Sequence, residues 1–484
     1  MFKKVTNEMI NQLISTAGKD NVIVDCETLQ NYAHDETPLY HSIPEVVVKP
    51  SNTQEVSAII ELANENLIPI TPRGGGTSLS AGAVPLYHGI VLSLERMNHI
   101  KEVDLENLMA IVEPGIITGI MAKELSKYNL FFPPDPVSLD SCTIGGNIAE
   151  CAGGPRAMKY GVTKNYITGL EVVFADGKIN WLGGKLLKNV TGYDLIDLIV
   201  GSEGTLAVVT EATIKLLTLP EIIVDLYLPF KTISEASRFS IEVLKQGFMP
   251  TAIELMEGDV VRMVGKYLCR EIPYISADAH TILEIDGNDA GYIKGIYERI
   301  GDLALKMGAL DVLVGESPKD RERIWEVRKK IGDALKAQAI ILAREDLVVP
   351  KNCIPELIYQ LKKCVKKYSG TLYAFGHLGD GNIHTDVGIT DGTDNQKNTD
   401  YKDRVTEMRR EMYTITIKLG GTITAEHGVG LSKIPFLPMA LDKSTIELMT
   451  KIKKEFDPKN ILNPGKIFDQ SLFNHLTNHH LTNL

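Results

Sequence analysis

The sequence predicts an α+β protein of two domains followed by a C-terminal helical segment. Three observations lead there. A chain of 484 residues is too long for one typical core, so two or three domains are expected. Over roughly the first 215 residues, short β-branched runs alternate with glycine-rich turns, the pattern of one domain built from short elements. After a composition shift at Thr218-Leu219-Pro220, strands alternate with longer helices and glycine thins out. The boundaries drawn on this basis are a helical segment over 1–40, a first domain over 41–220 and a second over 221–430. A helical segment over 431–468 and a frayed tail over 469–484 complete the chain.

Each element has a local reason. Met1 to Ser15 carries Lys3 and Lys4, but Asn7, Glu8, Asn11 and Gln12 interrupt any apolar run, so it reads as a short amphipathic helix rather than a signal peptide. Val46 to Val48 is a strand stopped by Pro50. Ser51 to Gln54 then offers a capping box for a helix with Val56, Ile59, Ile60 and Ala63 on one face. Strands follow at Leu67 to Thr71, Gly89 to Leu94, Ala110 to Val112, Gly169 to Phe174 and Leu206 to Ile214, with a helix over Ile117 to Tyr128. In the second domain Ile222 to Leu228, Thr281 to Ile285 and Asp311 to Val314 read as strands. Ile233 to Gln246, Gly291 to Met307 and Lys319 to Ala339 read as helices.

Composition removes several function classes. The net charge is −11, and the nearest basic cluster, Lys362-Lys363 with Lys366-Lys367, is a solvated helix face, so nucleic acid is excluded as a partner. No apolar run approaches the roughly 20 residues of a transmembrane helix, and a cytoplasmic location is expected. None of the six cysteines forms C-x-x-C, which argues against zinc ribbons and an iron–sulfur cluster in this chain.

The glycine loops point to a ligand. Arg73-Gly74-Gly75-Gly76-Thr77-Ser78 follows a strand directly. Pro133-Pro134-Asp135-Pro136 leads to Thr143-Ile144-Gly145-Gly146-Asn147, and Gly153-Gly154 and Tyr160-Gly161 come next. Gly201-Ser202-Glu203-Gly204-Thr205-Leu206 enters a strand. Glycine lets backbone approach a ligand closely, and successive amides in such turns hold anions. Three such approaches in one domain suggest a large ligand with a diphosphate. None is G-x-G-x-x-G between strand and helix, so a nicotinamide site is not indicated.

Two later segments carry titratable groups. Gly376-His377-Leu378-Gly379-Asp380-Gly381-Asn382-Ile383-His384 runs from a glycine turn into a strand, and Thr424-Ala425-Glu426-His427-Gly428 is a second turn. Two imidazoles and a carboxylate make a three-ligand set with an open position, so these residues read as a metal or proton-transfer site.

The order R-G-G-G-T-S, P-P-D-P, T-I-G-G-N, A-G-G-P-R, K-Y-G, G-S-E-G-T-L resembles FAD-linked oxidases of the vanillyl-alcohol oxidase and p-cresol methylhydroxylase fold. The later motifs resemble the D-lactate, glycolate and D-2-hydroxyglutarate dehydrogenase branch. The resemblance runs from about residue 40 to 468. It implies an FAD-binding first domain of the p-cresol methylhydroxylase type, a substrate (cap) domain, and a C-terminal segment returning to the FAD domain. Carried over by motif, Arg73, Gly74, Gly75, Gly76, Thr77 and Ser78 would hold the pyrophosphate. Pro134, Thr143, Gly146, Asn147, Gly153, Gly161, Glu203 and Gly204 would line the cofactor. Thr77 stands where some relatives carry a flavin-bonded histidine, which implies non-covalent FAD.

The same resemblance puts a divalent metal, zinc or iron, on His377, His384 and Glu426, and makes His427 the base. Arg328 matches the family's carboxylate-binding arginine, and Arg344 is a second candidate where some relatives have lysine. The implied reaction is oxidation of a small D-2-hydroxy acid, D-lactate first and glycolate second. A metal lowers the hydroxyl pKa, an imidazole takes the proton, and the Cα hydride passes to flavin N5. The acceptor is expected to be external, an electron-transferring flavoprotein being favoured, as in the bifurcating complexes of some anaerobic relatives. The alternatives are a D-2-hydroxyglutarate dehydrogenase, a structural flavin-binding subunit, or a transferase like the alkyl-dihydroxyacetone-phosphate synthases. Those synthases carry a run of adjacent histidines where this chain has Glu426-His427 alone.

Overall fold

The computed structural model describes residues 2–338, 340–389, 399–471 and 473. The chain forms two compact units: residues 1–152, 162–219 and 426–484 make the first, and residues 153–161 and 220–425 the second. Two boundaries differ from the sequence reading. Residues 153–161 group with the second unit, where Arg156 binds Glu284 and Lys159 pairs with Asp286. Residues 426–430, expected in the second domain, group with the first. The histidine-containing tail lies outside the described residues from 474 onward.

In the first unit, β1 (Val22–Ile23), β2 (Val46–Val48), β3 (Ile70–Arg73) and β4 (Ile90–Ser93) form a sheet of order β1-β2-β4-β3. β4 runs parallel to both β2 and β3, and helix Thr53–Asn66 makes the crossover. That helix starts one residue later than a Ser51 cap would allow. The Asn52 side chain accepts from Glu55 N, while Ser51 donates its amide and hydroxyl to the Glu55 carboxylate. Its buried face, Val56, Ile59, Ile60 and Ala63, packs into one core with Val46, Ile70 and Leu92 and with Leu13 of helix Asn7–Ala17. Burying each larger aliphatic side chain contributes about 1.5–3 kcal/mol.

An antiparallel sheet of order β5-β6-β10-β8-β9 lies in the same unit. It comprises β5 (Ile100–Asp104), β6 (Met109–Val112), β8 (Ile167–Val173), β9 (Ile179–Gly183) and β10 (Val208–Lys215). β7 (Leu130–Phe131) and β11 (Leu217–Thr218) pair separately.

The second unit is one antiparallel seven-stranded sheet, order β15-β12-β14-β13-β17-β18-β16. Its strands are β12 (Ile222–Phe230), β13 (Ala252–Glu257), β14 (Ala279–Gly287), β15 (Leu313–Gly315), β16 (Ile340–Val348), β17 (Thr371–His377) and β18 (Asn382–Ile389). On one face Tyr227, Met256, Ile282, Tyr373 and Phe375 pack against Val260, Val261 and Val264 of helix Gly258–Tyr267. Val327, Ile331, Ala334 and Leu335 complete that core. The stretch read as one helix from Lys319 to Ala339 is two, Pro318–Lys329 and Ile331–Gln338. Lys330 leaves helical geometry at ψ 3° between them.

Candidate active site

The hairpin of β17 and β18 builds the centre of the site. Gly376 (φ 142°) and Gly381 (φ 98°) shape it: a Cβ at Gly376 would stand 2.7 Å from the Asn382 carbonyl oxygen, and one at Gly381 would stand 2.3 Å from that of Val349. His377 faces Asn382 across the ladder, and His384 lies two residues further along β18, on the same face. The rings meet edge to face, with centroids 5.1 Å apart and the two Nε2 atoms 3.4 Å apart. Both side chains are buried.

Glu254 pairs with His377 across β13 and β17. Its Oε1 accepts from His377 Nδ1 at 2.5 Å and its Oε2 accepts from Arg328 Nε at 2.7 Å. Burial pushes the Glu254 carboxyl up, but His377 and Arg328 overcome that and hold it down at about 2. Arg328 comes from the last turn of helix Pro318–Lys329, stacks on Phe375 at 4.9 Å, and keeps Nη2 buried without a hydrogen-bond acceptor among the described residues. Arg344, on β16, faces Asp386 on β18. Their charged atoms are 3.7 Å apart and Arg344 Nε makes no hydrogen bond among the described residues.

Asp346, beside His384 in the ladder, accepts from Thr424 Oγ1 at 2.8 Å and from Ala425 N at 3.1 Å. Glu426 is the next residue in the chain, and the ligand nitrogens of His377 and His384 lie within 4.8 Å of one another. Two nitrogens bound to one tetrahedral zinc at about 2.0–2.1 Å stand about 3.4 Å apart, so the histidine spacing fits such an ion. The turn after His427 is fixed by Glu203, whose carboxylate accepts from Val429 N at 2.8 Å and Gly430 N at 2.7 Å. Gly428 (φ 76°) closes on Glu150 as well as Glu203, where a Cβ would come within 2.3 Å of Glu150 Oε2.

The glycine loops of the first unit converge. A Cβ on Gly74 would meet Thr143 Oγ1 at 2.3 Å, and one on Gly75 would meet the Ser141 carbonyl at the same distance. Thr143 caps helix Ile144–Glu150 by accepting from Gly146 N, and Asn147 donates to Thr118 Oγ1. Ser78 donates to Glu150, and Gly204 lies against Pro72. The Arg73 guanidinium turns inward to the carbonyls of His34 and Asn31, so its side chain braces the loop. Thr77 is half-buried within this loop and Pro134 is buried, while Gly153 and Gly161 sit in the segment that groups with the second unit. A loop whose glycines leave no room for a Cβ is suited to hold a dinucleotide diphosphate on its backbone.

The sequence matches the family of FAD binding domains over residues 44–183 and that of the FAD linked oxidases, C-terminal domain, over residues 219–467, more than half the chain. The chain belongs to the FAD-linked oxidases. This FAD-linked oxidase is 39% identical to the glycolate oxidase subunit GlcD of Bacillus subtilis, over 96% of this chain and 97% of that protein. It is 35% identical to a D-lactate dehydrogenase of Anaerostipes hadrus, over 96% and 98%. Among solved structures, p-cresol methylhydroxylase with substrate bound superposes with a TM-score of 0.80 at 17% identity, covering 97% of this chain and 99% of that one. The FAD-linked oxidase therefore has the p-cresol methylhydroxylase fold, and it is a flavoprotein oxidoreductase. Among the described residues no helix is long and apolar enough to cross a membrane.

Within this family frame, the predicted loops Arg73 to Ser78 and Pro134 to Asn147 fall in the FAD binding domain. Arg328, Arg344, His377, His384, Glu426 and His427 fall in the C-terminal domain. Sequence reasoning missed Glu254 and Asp346, which hold His377 with Arg328 and the Thr424-Ala425 turn. The available signal was a carboxylate inside an apolar run, Ala252-Ile253-Glu254-Leu255-Met256.

Proposed function

We propose that this flavoprotein oxidises a D-2-hydroxy acid to the 2-oxo acid, with D-lactate first and glycolate second, assisted by a divalent zinc or iron ion. The observation that carries the reading is the pair of buried imidazoles with Nε2 atoms 3.4 Å apart, beside an arginine whose buried Nη2 has no acceptor among the described residues. The relatives named glycolate oxidase subunit and D-lactate dehydrogenase support the substrate class.

Gly74 to Ser78 would hold the FAD pyrophosphate, and non-covalently, because Thr77 offers no imidazole to the flavin. The FAD, when bound, supplies the hydride acceptor. His377, His384 and Glu426 would hold the metal, which would lower the pKa of the substrate hydroxyl. Arg328 Nη2 donates to the substrate carboxylate and orients Cα. The planar guanidinium suits that carboxylate, and stacking on Phe375 limits its freedom. His427 accepts the hydroxyl proton on a ring nitrogen, which requires the neutral imidazole. Asp386 beside Arg344 sets a negative charge against a second, distal carboxylate, favouring a monoacid over 2-hydroxyglutarate. The sequence supplies no iron–sulfur or nicotinamide motif, so the electrons leave to an external acceptor, which we take to be an electron-transferring flavoprotein.

Metal removal tests the reading. Chelator-stripped, FAD-loaded protein should lose D-lactate-dependent dye reduction and regain it when a divalent ion is returned. Full turnover in protein shown to be metal-free overturns it.

A further inference from the structure

Glu254 is fully buried in the middle of the seven-stranded sheet, where an isolated carboxylate would be costly, and each of its oxygens is committed to one functional side chain. Oε1 takes the Nδ1 proton of His377 at 2.5 Å, and Oε2 takes the Nε proton of Arg328 at 2.7 Å. An imidazole that donates from Nδ1 has its lone pair on Nε2, the atom 3.4 Å from Nε2 of His384. A guanidinium held through Nε presents its Nη edge, and Nη2 is buried with no acceptor among the described residues.

We infer that Glu254 is a positioning residue that sets the two halves of substrate capture together. One carboxylate fixes the His377 tautomer that can bind a metal and aims the Arg328 edge that meets a substrate carboxylate. This role rests on the metal reading above and adds a residue to it. A metal-bound histidine whose other nitrogen donates to a carboxylate is held in orientation and made a better donor, and losing such a partner typically costs 10–100-fold in metal affinity. The same carboxylate also anchors the arginine, so removing it should weaken metal and substrate binding together.

Glu254→Gln separates this role from simple packing. Gln keeps the volume, but one of its two polar atoms is an NH2 that must face either His377 Nδ1 or Arg328 Nε, both donors. Calorimetric titration of the FAD-loaded, chelator-stripped protein with Mn²⁺ should show affinity about 10–100-fold weaker in Glu254→Gln than in the wild type. KM for D-lactate should rise as well. Arg328→Gln should raise KM for D-lactate yet leave Mn²⁺ affinity within about threefold, because Glu254 still holds His377. If Glu254→Gln does not fold, the charge-balanced double variant Glu254→Gln with Arg328→Gln carries the same prediction for Mn²⁺. Wild-type Mn²⁺ affinity in either Glu254 variant overturns the role. Wild-type protein that binds no divalent ion overturns the metal reading itself, an outcome visible before any variant is made.

Discussion

Glu203 and Gly430 are joined by a hydrogen bond of 2.7 Å from the glycine amide to a carboxylate oxygen, and the other carboxylate oxygen takes the amide of Val429. Residues 226 and 227 positions apart in the chain thereby fix the turn that carries His427. Glu203→Ala should lower kcat by about tenfold or more, with FAD affinity little changed, since loss of hydrogen bonds to a charged group costs about 1.5–3 kcal/mol each. Flavin titration and steady-state kinetics check this. Lost FAD affinity with unchanged turnover per bound flavin would place the carboxylate on the cofactor instead.

His427→Ala should reduce kcat by about 10²–10⁴-fold, the usual contribution of a positioned general base, while the protein still binds FAD. Turnover close to that of the wild type removes His427 from the proton-transfer step.

The flavin should be released on denaturation. Thr77 offers a hydroxyl and no ring nitrogen to the flavin, and residues 74–78 are otherwise three glycines and Ser78. Acid-precipitated protein is therefore expected to leave its yellow colour in the supernatant, and a yellow pellet speaks against the account.

Asp225 predicts a pH dependence of stability. It lies on β12 opposite Glu284 of β14, with Arg321 donating to one oxygen and Arg156 to Glu284. Burial, reinforced by the charge of Glu284, pushes the Asp225 carboxyl up to about 7. A folded-state pKa above the unfolded value means that the folded protein keeps a proton the unfolded chain releases. The stability from this group is complete below about pH 4 and is lost as pH rises to 7. Asp225→Asn should therefore gain stability relative to the wild type, by about 2 kcal/mol, between pH 5 and pH 8 in urea unfolding. A difference that does not change with pH would mean that Asp225 is ionised throughout.

The candidate site residues could be named before the fold was known because they stand in short motifs. His377 and His384 flank one glycine turn and Glu426-His427 sits in another, so local sequence exposes them. The residues that hold them are not local. Glu254 is 123 positions from His377 and looks like a polar interruption in an apolar run until β13 is laid beside β17. Glu203 reads as part of a cofactor loop because its sequence neighbours are glycines, yet its carboxylate serves a turn from the far end of the chain. Fold class followed from periodicity, whereas the break at Lys330 and the one-residue shift of the Asn52 cap are decided by backbone geometry that propensity does not specify.

The most direct measurement is anaerobic reduction of the bound flavin by a panel of 2-hydroxy acids, followed by the loss of its visible absorbance. With metal-replete protein, D-lactate should bleach the flavin, glycolate should do so more slowly, and D-2-hydroxyglutarate and L-lactate should be poor reductants. A flavin that stays oxidised with every 2-hydroxy acid in the panel would contradict the account.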